Sequence, residues 1–271
     1  MAYSFGVLET GDLLTVAEWL ESQPFVTGTG IVSFSWSANI SLLAAWENSR
    51  SEGHESVNPR LVPHLRKRDG KTHYQSGILA ISPVLDLETV TDELDKSWSM
   101  STNPIFNALQ GTVNRRAERR GYEGVDGSLR KLIACEYARS ELTHAEAMDD
   151  GFDYLRFLPY KGKPTGHKLQ DARVPVLILH AASDPLAYAQ EIADVFGETT
   201  NPRVAGIVLK GGGHDGFAAY CRDYFYSLIL NFFDPQTGAR RSIPARMIAD
   251  QKVKPDGSRL LTEHPPTLTD K

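Results

Sequence analysis

Three residues far apart in the chain have the types that acyl transfer needs: a hydroxyl at Ser35, a carboxylate at Asp184 and an imidazole at His214. A hydroxyl is a weak nucleophile at neutral pH until a base takes its proton. An imidazole fixed in one tautomer by a carboxylate is the usual base for that task. The acid follows the serine by 149 positions (184 − 35), and the histidine follows the acid by 30 (214 − 184).

Each residue also has a plainer explanation. Asp184-Pro185 suits an Asp turn that caps a following helix. His214, in Gly211-Gly212-Gly213-His214-Asp215-Gly216-Phe217, suits a surface turn whose glycines serve backbone geometry. Asp215 is an alternative acid, although a sequence neighbour rarely points at the same imidazole. His180 reads as a satisfied strand-end residue. What unites Ser35, Asp184 and His214 is position, because each falls at the end of a different expected strand.

The elements that must hold them begin with Gly30-Ile31-Val32-Ser33-Phe34. This β-branched and aromatic run stops at small residues, and a helix-period apolar pattern follows at once through Leu42, Leu43 and Trp46. That is the strand-turn-helix context of a nucleophile elbow, in which the residues two before and two after the nucleophile crowd together and must be small. Ser33 as nucleophile would put Ile31 on a crowded flank, and Ser37 would put Asn39 there. Ser35 has the smallest pair, Ser33 and Ser37, where the common motif has glycines.

Three further apolar runs read as strands: Ser76 to Ser82, Val174 to His180, and Arg203 to Leu209. Helical patterns cover 11–22, Leu129 to Leu142, Leu186 to Phe196 and Tyr220 to Phe233. Strands alternating with helices predict an α/β fold with a mostly parallel sheet, whose functional groups gather beyond the carboxyl ends of the strands. Residues 1–98 and 171–234 form the expected discontinuous core, 99–170 an inserted helical cap, and 235–271 a polar tail. The basic runs Arg66-Lys67-Arg68 and Arg115-Arg116-Arg119-Arg120 read as solvated faces. His54, His64 and His73 lack acidic or cysteine partners at ligand spacing, so no metal site is expected.

Composition bounds the rest. A net charge of −5 over 271 residues argues against a nucleic-acid binder. Two cysteines, Cys135 and Cys221, fit a reducing compartment. No apolar run approaches the ~18 residues of a membrane span, and no signal peptide is visible at the N-terminus. The expectation is a cytoplasmic protein.

At this point Ser-Phe-Ser-Trp-Ser-Ala-Asn-Ile-Ser-Leu from Ser33, Ser82-Pro83-Val84-Leu85-Asp86-Leu87, Ala182-Ser183-Asp184-Pro185 and Gly212-Gly213-His214-Asp215-Gly216-Phe217 carry a resemblance. From about Gly11 to Phe233 the chain resembles the embryogenesis-associated, YheT-like branch of the α/β-hydrolases, which also contains the abhydrolase-domain lipid esterases. The resemblance implies a cofactor-free hydrolase of acyl esters or lipids, with Ser35 as nucleophile, Asp184 as acid and His214 as base. The mechanism expected of these three residues uses the Trp36 backbone N–H as one oxyanion donor, prefers acyl esters to peptides and gives a rate that rises as His214 deprotonates near pH 6–7. Trp36, Trp98, Phe106, Tyr122 and Phe217 are candidates to line an acyl pocket. Only about 28 residues precede the elbow strand, so the fold reads as N-terminally incomplete, without the family's loop for a second oxyanion donor. Losing one such donor typically costs about 10²–10³ in rate. The elbow strand is then expected to leave a sheet edge open to self-association. The rivals are a non-catalytic scaffold or binding protein of the same fold and a serine peptidase of the prolyl-oligopeptidase type.

Overall fold

The computed structural model describes residues 4, 6–50, 61–65, 72–98, 104–139, 152–157, 165–234, 251–253 and 259–261. Four strands pair in chain order: β1 (Gly30–Phe34), β2 (Gly77–Ile81), β3 (Val176–Ala181) and β4 (Val204–Leu209). All three pairings are parallel. Phe34 sits opposite Ile81, Ile81 opposite Leu179, and Ala181 opposite Leu209, so the carboxyl ends of the strands are nearly level. Each strand occupies one of the four apolar runs.

Burial follows from place in the sheet. β2 and β3 have neighbours on both sides, and every one of their residues is buried. β1 is an edge strand, and Ser33 is its one fully buried residue. The pleat sends successive side chains to opposite faces. Ile78, Ala80, Val176 and Ile178 enter a large core with Leu42, Leu43 and Ile192. Leu79, Ile81, Leu177 and Leu179 enter a second core with Phe217 and Phe225.

Helices cover both faces. α1 (Val7–Glu21) and α2 (Ser35–Ser49) pack together, and α2 lies on β1 and β2. α1 begins earlier than its apolar spacing suggests, because Glu9 turns back to accept the Gly6 N–H at 2.8 Å and the Ser4 N–H at 3.0 Å. Between β2 and β3 come α3 (Leu87–Trp98), α4 (Pro104–Arg120), α5 (Leu129–Arg139) and α6 (Phe152–Leu155). Among these, α3 packs against α4 and α5. α7 (Ala189–Glu198) joins β3 to β4, and α8 (Phe217–Tyr220) and α9 (Arg222–Phe233) follow.

The arginine cluster of α4 is not simply a solvated face. Arg116 donates to the fully buried Glu136 of α5 at 2.7 Å, with Arg120 at 3.9 Å from the same carboxylate. Arg130 of α5 pairs with Glu88 and Asp92 of α3 at 2.9 and 2.8 Å. Arg156, almost fully buried, pairs with Asp86 at 3.4 Å and with Glu88. These pairs fix how the helices sit, and for the buried Arg156 removing one partner typically costs about 3–5 kcal/mol, whereas solvent screens the half-exposed Arg116 and Arg130 pairs. Of the tail, only the antiparallel strands β5 (Gln251–Val253) and β6 (Arg259–Leu261) are described. Among the described residues no helix is long and apolar enough to cross a membrane.

Candidate active site

The turn from β1 into α2 is tight. Ser35 has φ of 53°, a left-handed value that a non-glycine residue adopts at a cost of about 1–3 kcal/mol. The two flanking serines share the crowding. Ser33 is buried, with its Oγ 2.6 Å from that of Ser41, while Ser37 is exposed. Of the three, only Ser35 has the strained backbone. Its neighbour Trp36 lies in the first turn of α2, where backbone N–H groups have no intrahelical acceptor. The positive end of the helix dipole lies there as well.

Asp184 sits in the turn after β3. Its Oδ1 accepts the backbone N–H groups of Leu186 at 2.8 Å and Ala187 at 3.0 Å, so the Asp turn expected from Asp184-Pro185 is present. His180, fully buried, donates from Nε2 to the Ala187 carbonyl at 3.0 Å and so braces the same turn. The loop after β4 carries His214. Gly212 and Gly213 have φ of 123° and 56°, and a Cβ at Gly212 would come within 2.7 Å of the Phe217 ring. Glycine is therefore required there. The Gly213 N–H donates to Ser183 Oγ at 3.2 Å and ties this loop to the Asp184 turn.

The structure brings the three candidates together. Nδ1 of His214 lies 2.9 and 3.1 Å from the two carboxylate oxygens of Asp184, and Nε2 lies 2.7 Å from Oγ of Ser35. An N–H on Nδ1, donated to Asp184, leaves the Nε2 lone pair to accept the Ser35 hydroxyl proton. Burial weakens the hold of His214 on its proton. The hydrogen bond and charge of Asp184, with Asp215 adding, outweigh burial and hold it above the ordinary histidine range. Burial also pushes Asp184 up, but the hydrogen bonds from His214, Leu186 and Ala187 leave it below the usual carboxylate range. His180 is lowered, chiefly by burial. A neutral His180 beside an ionised Asp184 is the result.

Several expectations need correction. Asp215 does face the imidazole of His214, but at the other nitrogen, its Oδ2 lying 3.7 Å from Nε2. Phe217 is fully buried in the second core and stacks on Phe225 with ring centroids 6.1 Å apart, so it offers no surface to a substrate. Trp36 and Tyr122 are partly buried against the large core. The side chains of Trp98 and Phe106 lie outside the described residues, as does His54. His64 and His73 do have acidic neighbours in space: His73 Nδ1 is 2.9 Å from Glu21 and His64 Nδ1 is 3.4 Å from Glu18. Sequence spacing hides these pairs because α1 supplies the carboxylates.

A parallel sheet covered by helices on both faces, with a strained serine between a strand and a helix, defines the architecture. The fold is α/β, with a strand-serine-helix elbow at the carboxyl edge of a parallel sheet. No family model matches the chain, and no curated protein matches it in sequence. Among solved structures, an esterase from Pyrococcus furiosus is 12% identical, with 84% of this chain and 62% of that one covered, at a TM-score of 0.48. A hydrolase from Pseudomonas aeruginosa is 13% identical over 86% of this chain and 73% of its own, at 0.44. An epoxide hydrolase from Bacillus megaterium is 13% identical over 83% and 74%, at 0.41. The chain thus spans less than two thirds of the length of that esterase.

Proposed function

We propose that the chain is a serine hydrolase of carboxylic acyl esters, with Ser35 as nucleophile, His214 as general base and Asp184 as the acid that fixes the histidine tautomer. The observation that carries this reading is the unbroken chain of hydrogen bonds from Asp184 through His214 to a serine with left-handed backbone. Buried structural serines have no need of either feature.

In this mechanism Nε2 of His214 takes the Ser35 proton as Oγ attacks the ester carbonyl, and Asp184 stabilises the imidazolium. The Trp36 backbone N–H, at the positive end of α2, is the oxyanion donor. The imidazolium then protonates the leaving alcohol. A water activated by the same nitrogen hydrolyses the acyl-enzyme. None of these steps requires a cofactor. The substrate is a small acyl ester or lipid, and the free thiols of Cys135 and Cys221 fit action in the cytoplasm.

The test is a panel of 4-nitrophenyl acyl esters and matched anilides, assayed with the wild type and Ser35→Ala. Ester cleavage that exceeds anilide cleavage and disappears in Ser35→Ala supports the proposal. Faster anilide cleavage points to a peptidase, and equal rates for both proteins point to a scaffold.

A further inference from the structure

Asp215 stands apart from the carboxylate that the proposed mechanism uses. Asp184 holds Nδ1 of His214, whereas Oδ2 of Asp215 lies 3.7 Å from Nε2, the nitrogen that faces Ser35. The backbone of Asp215, with φ of 63°, holds it in the left-handed region that Asp tolerates better than most residues. Its Oδ1 is buried with no hydrogen-bond donor among the described residues. Ser82, itself at positive φ just past β2, lies near the carboxylate, and its buried hydroxyl likewise has no hydrogen-bond partner among the described residues. The other ionisable groups facing this imidazole are Asp184, from the turn after β3, and His180, from β3 itself.

We propose that Asp215 is a second carboxylate acting on His214 from the Ser35 side, and that it makes the site discriminate against acyl groups carrying negative charge. This rests on reading Ser35 and His214 as nucleophile and base. Two backbone N–H groups and the imidazole absorb the charge of Asp184. Asp215 has no such set of donors. Its charge therefore acts on a substrate whose carbonyl carbon lies against Ser35 Oγ, next to Nε2. An anionic acyl chain meets like charge in a half-buried setting that screens it poorly, whereas a cationic chain meets attraction. Burial pushes the Asp215 carboxyl up, His214 pulls it back and Asp184 raises it again, with a net rise. The discrimination should therefore fade in acid, as Asp215 takes up a proton.

The experiment compares three 4-nitrophenyl esters of similar length: the neutral butanoate, the anionic half-ester of succinate and the cationic 4-trimethylammoniobutanoate. It uses the wild type, Asp215→Asn and Asp215→Ser, each checked for native circular dichroism. In both variants kcat/KM for the anionic ester, relative to the neutral one, should rise about tenfold, and the cationic ester should lose its advantage. The change should lie mainly in KM. Unchanged ratios overturn the proposal. In parallel, the His214 ring is titrated by NMR, its signal assigned by its loss in His214→Gln. A midpoint that falls when Asp215 is replaced supports the coupling, and an unmoved midpoint refutes it. The titration needs no turnover. A wild type no more active than Ser35→Ala on all three esters refutes the hydrolase reading and the selectivity with it, while the coupling is decided by the titration.

Discussion

Nε2 of His214 approaches Oγ of Ser35 to 2.7 Å across 179 positions of chain. The contact depends on three loops leaving level strand ends. The β1–α2 turn lifts the serine, the β3–α7 turn supplies the acid, and the glycines after β4 fold the histidine back over both.

Replacing Asp184 by Asn keeps an oxygen for the Leu186 and Ala187 N–H groups but puts an N–H donor where His214 Nδ1 now meets an acceptor. His214 should then flip its tautomer and present an N–H to Ser35. We expect kcat for a neutral ester to fall by about two to four orders of magnitude, with KM changed far less. Steady-state kinetics check this. A loss below about threefold would show that Asp184 serves only its own turn.

Activity should rise with pH, because only neutral His214 can accept the Ser35 proton. The sequence alone suggests a midpoint near 6–7. Asp184, with Asp215 adding, holds the proton more tightly than that, so the acidic limb of kcat/KM should lie above the ordinary value of about 6.5. A profile from pH 5 to 9 with a neutral ester measures it, and a midpoint below 6 contradicts the assignment.

Glu191 of α7 is buried close to Asp86, and burial first, then Asp86, push its carboxyl up to about 8. An unfolded Glu titrates near ~4.3. Between those values the folded chain binds a proton that the unfolded chain does not, so stability falls as pH rises toward 8. Glu191→Gln keeps the shape and removes the charge. It should stabilise the protein at pH 8.5 by roughly 1–3 kcal/mol and change little at pH 5. Thermal melts at the two pH values check this, and destabilisation at pH 8.5 contradicts it.

β1 has no strand on its outer side among the described residues, and Val32 and Phe34 are 39% and 40% exposed there. A groove of about 510 Å³ runs beside it, lined by Thr27, Gly28, Gly30, Val32, Ser76 and Phe233. Unprotected edges of this kind pair with other chains. We expect self-association that Val32→Lys suppresses, measured by light scattering after size exclusion. A monodisperse wild-type monomer contradicts it.

The sheet was legible because its four strands are continuous apolar runs, each ended by a turn residue. The site was legible because Ser35, Asp184 and His214 each follow a strand end. What escaped is what only packing determines. The loop glycines signal a turn at His214, yet nothing in the sequence says that Asp215 turns back to Nε2 or that Phe217 points inward onto Phe225. Arg116 reads as surface because its partner, Glu136, lies on a separate helix. His73 reads as isolated because Glu21 comes from α1. The raised carboxyl of Glu191 arises from burial against the Leu85-Asp86 turn, which helical spacing does not reveal.

The most direct test of the central claim is covalent. A fluorophosphonate probe incubated with the protein at pH 8, followed by digestion and mass spectrometry, should place one adduct on Ser35, lost in Ser35→Ala and strongly slowed in His214→Ala. No adduct, or one on Ser33 or Ser37, would contradict the account.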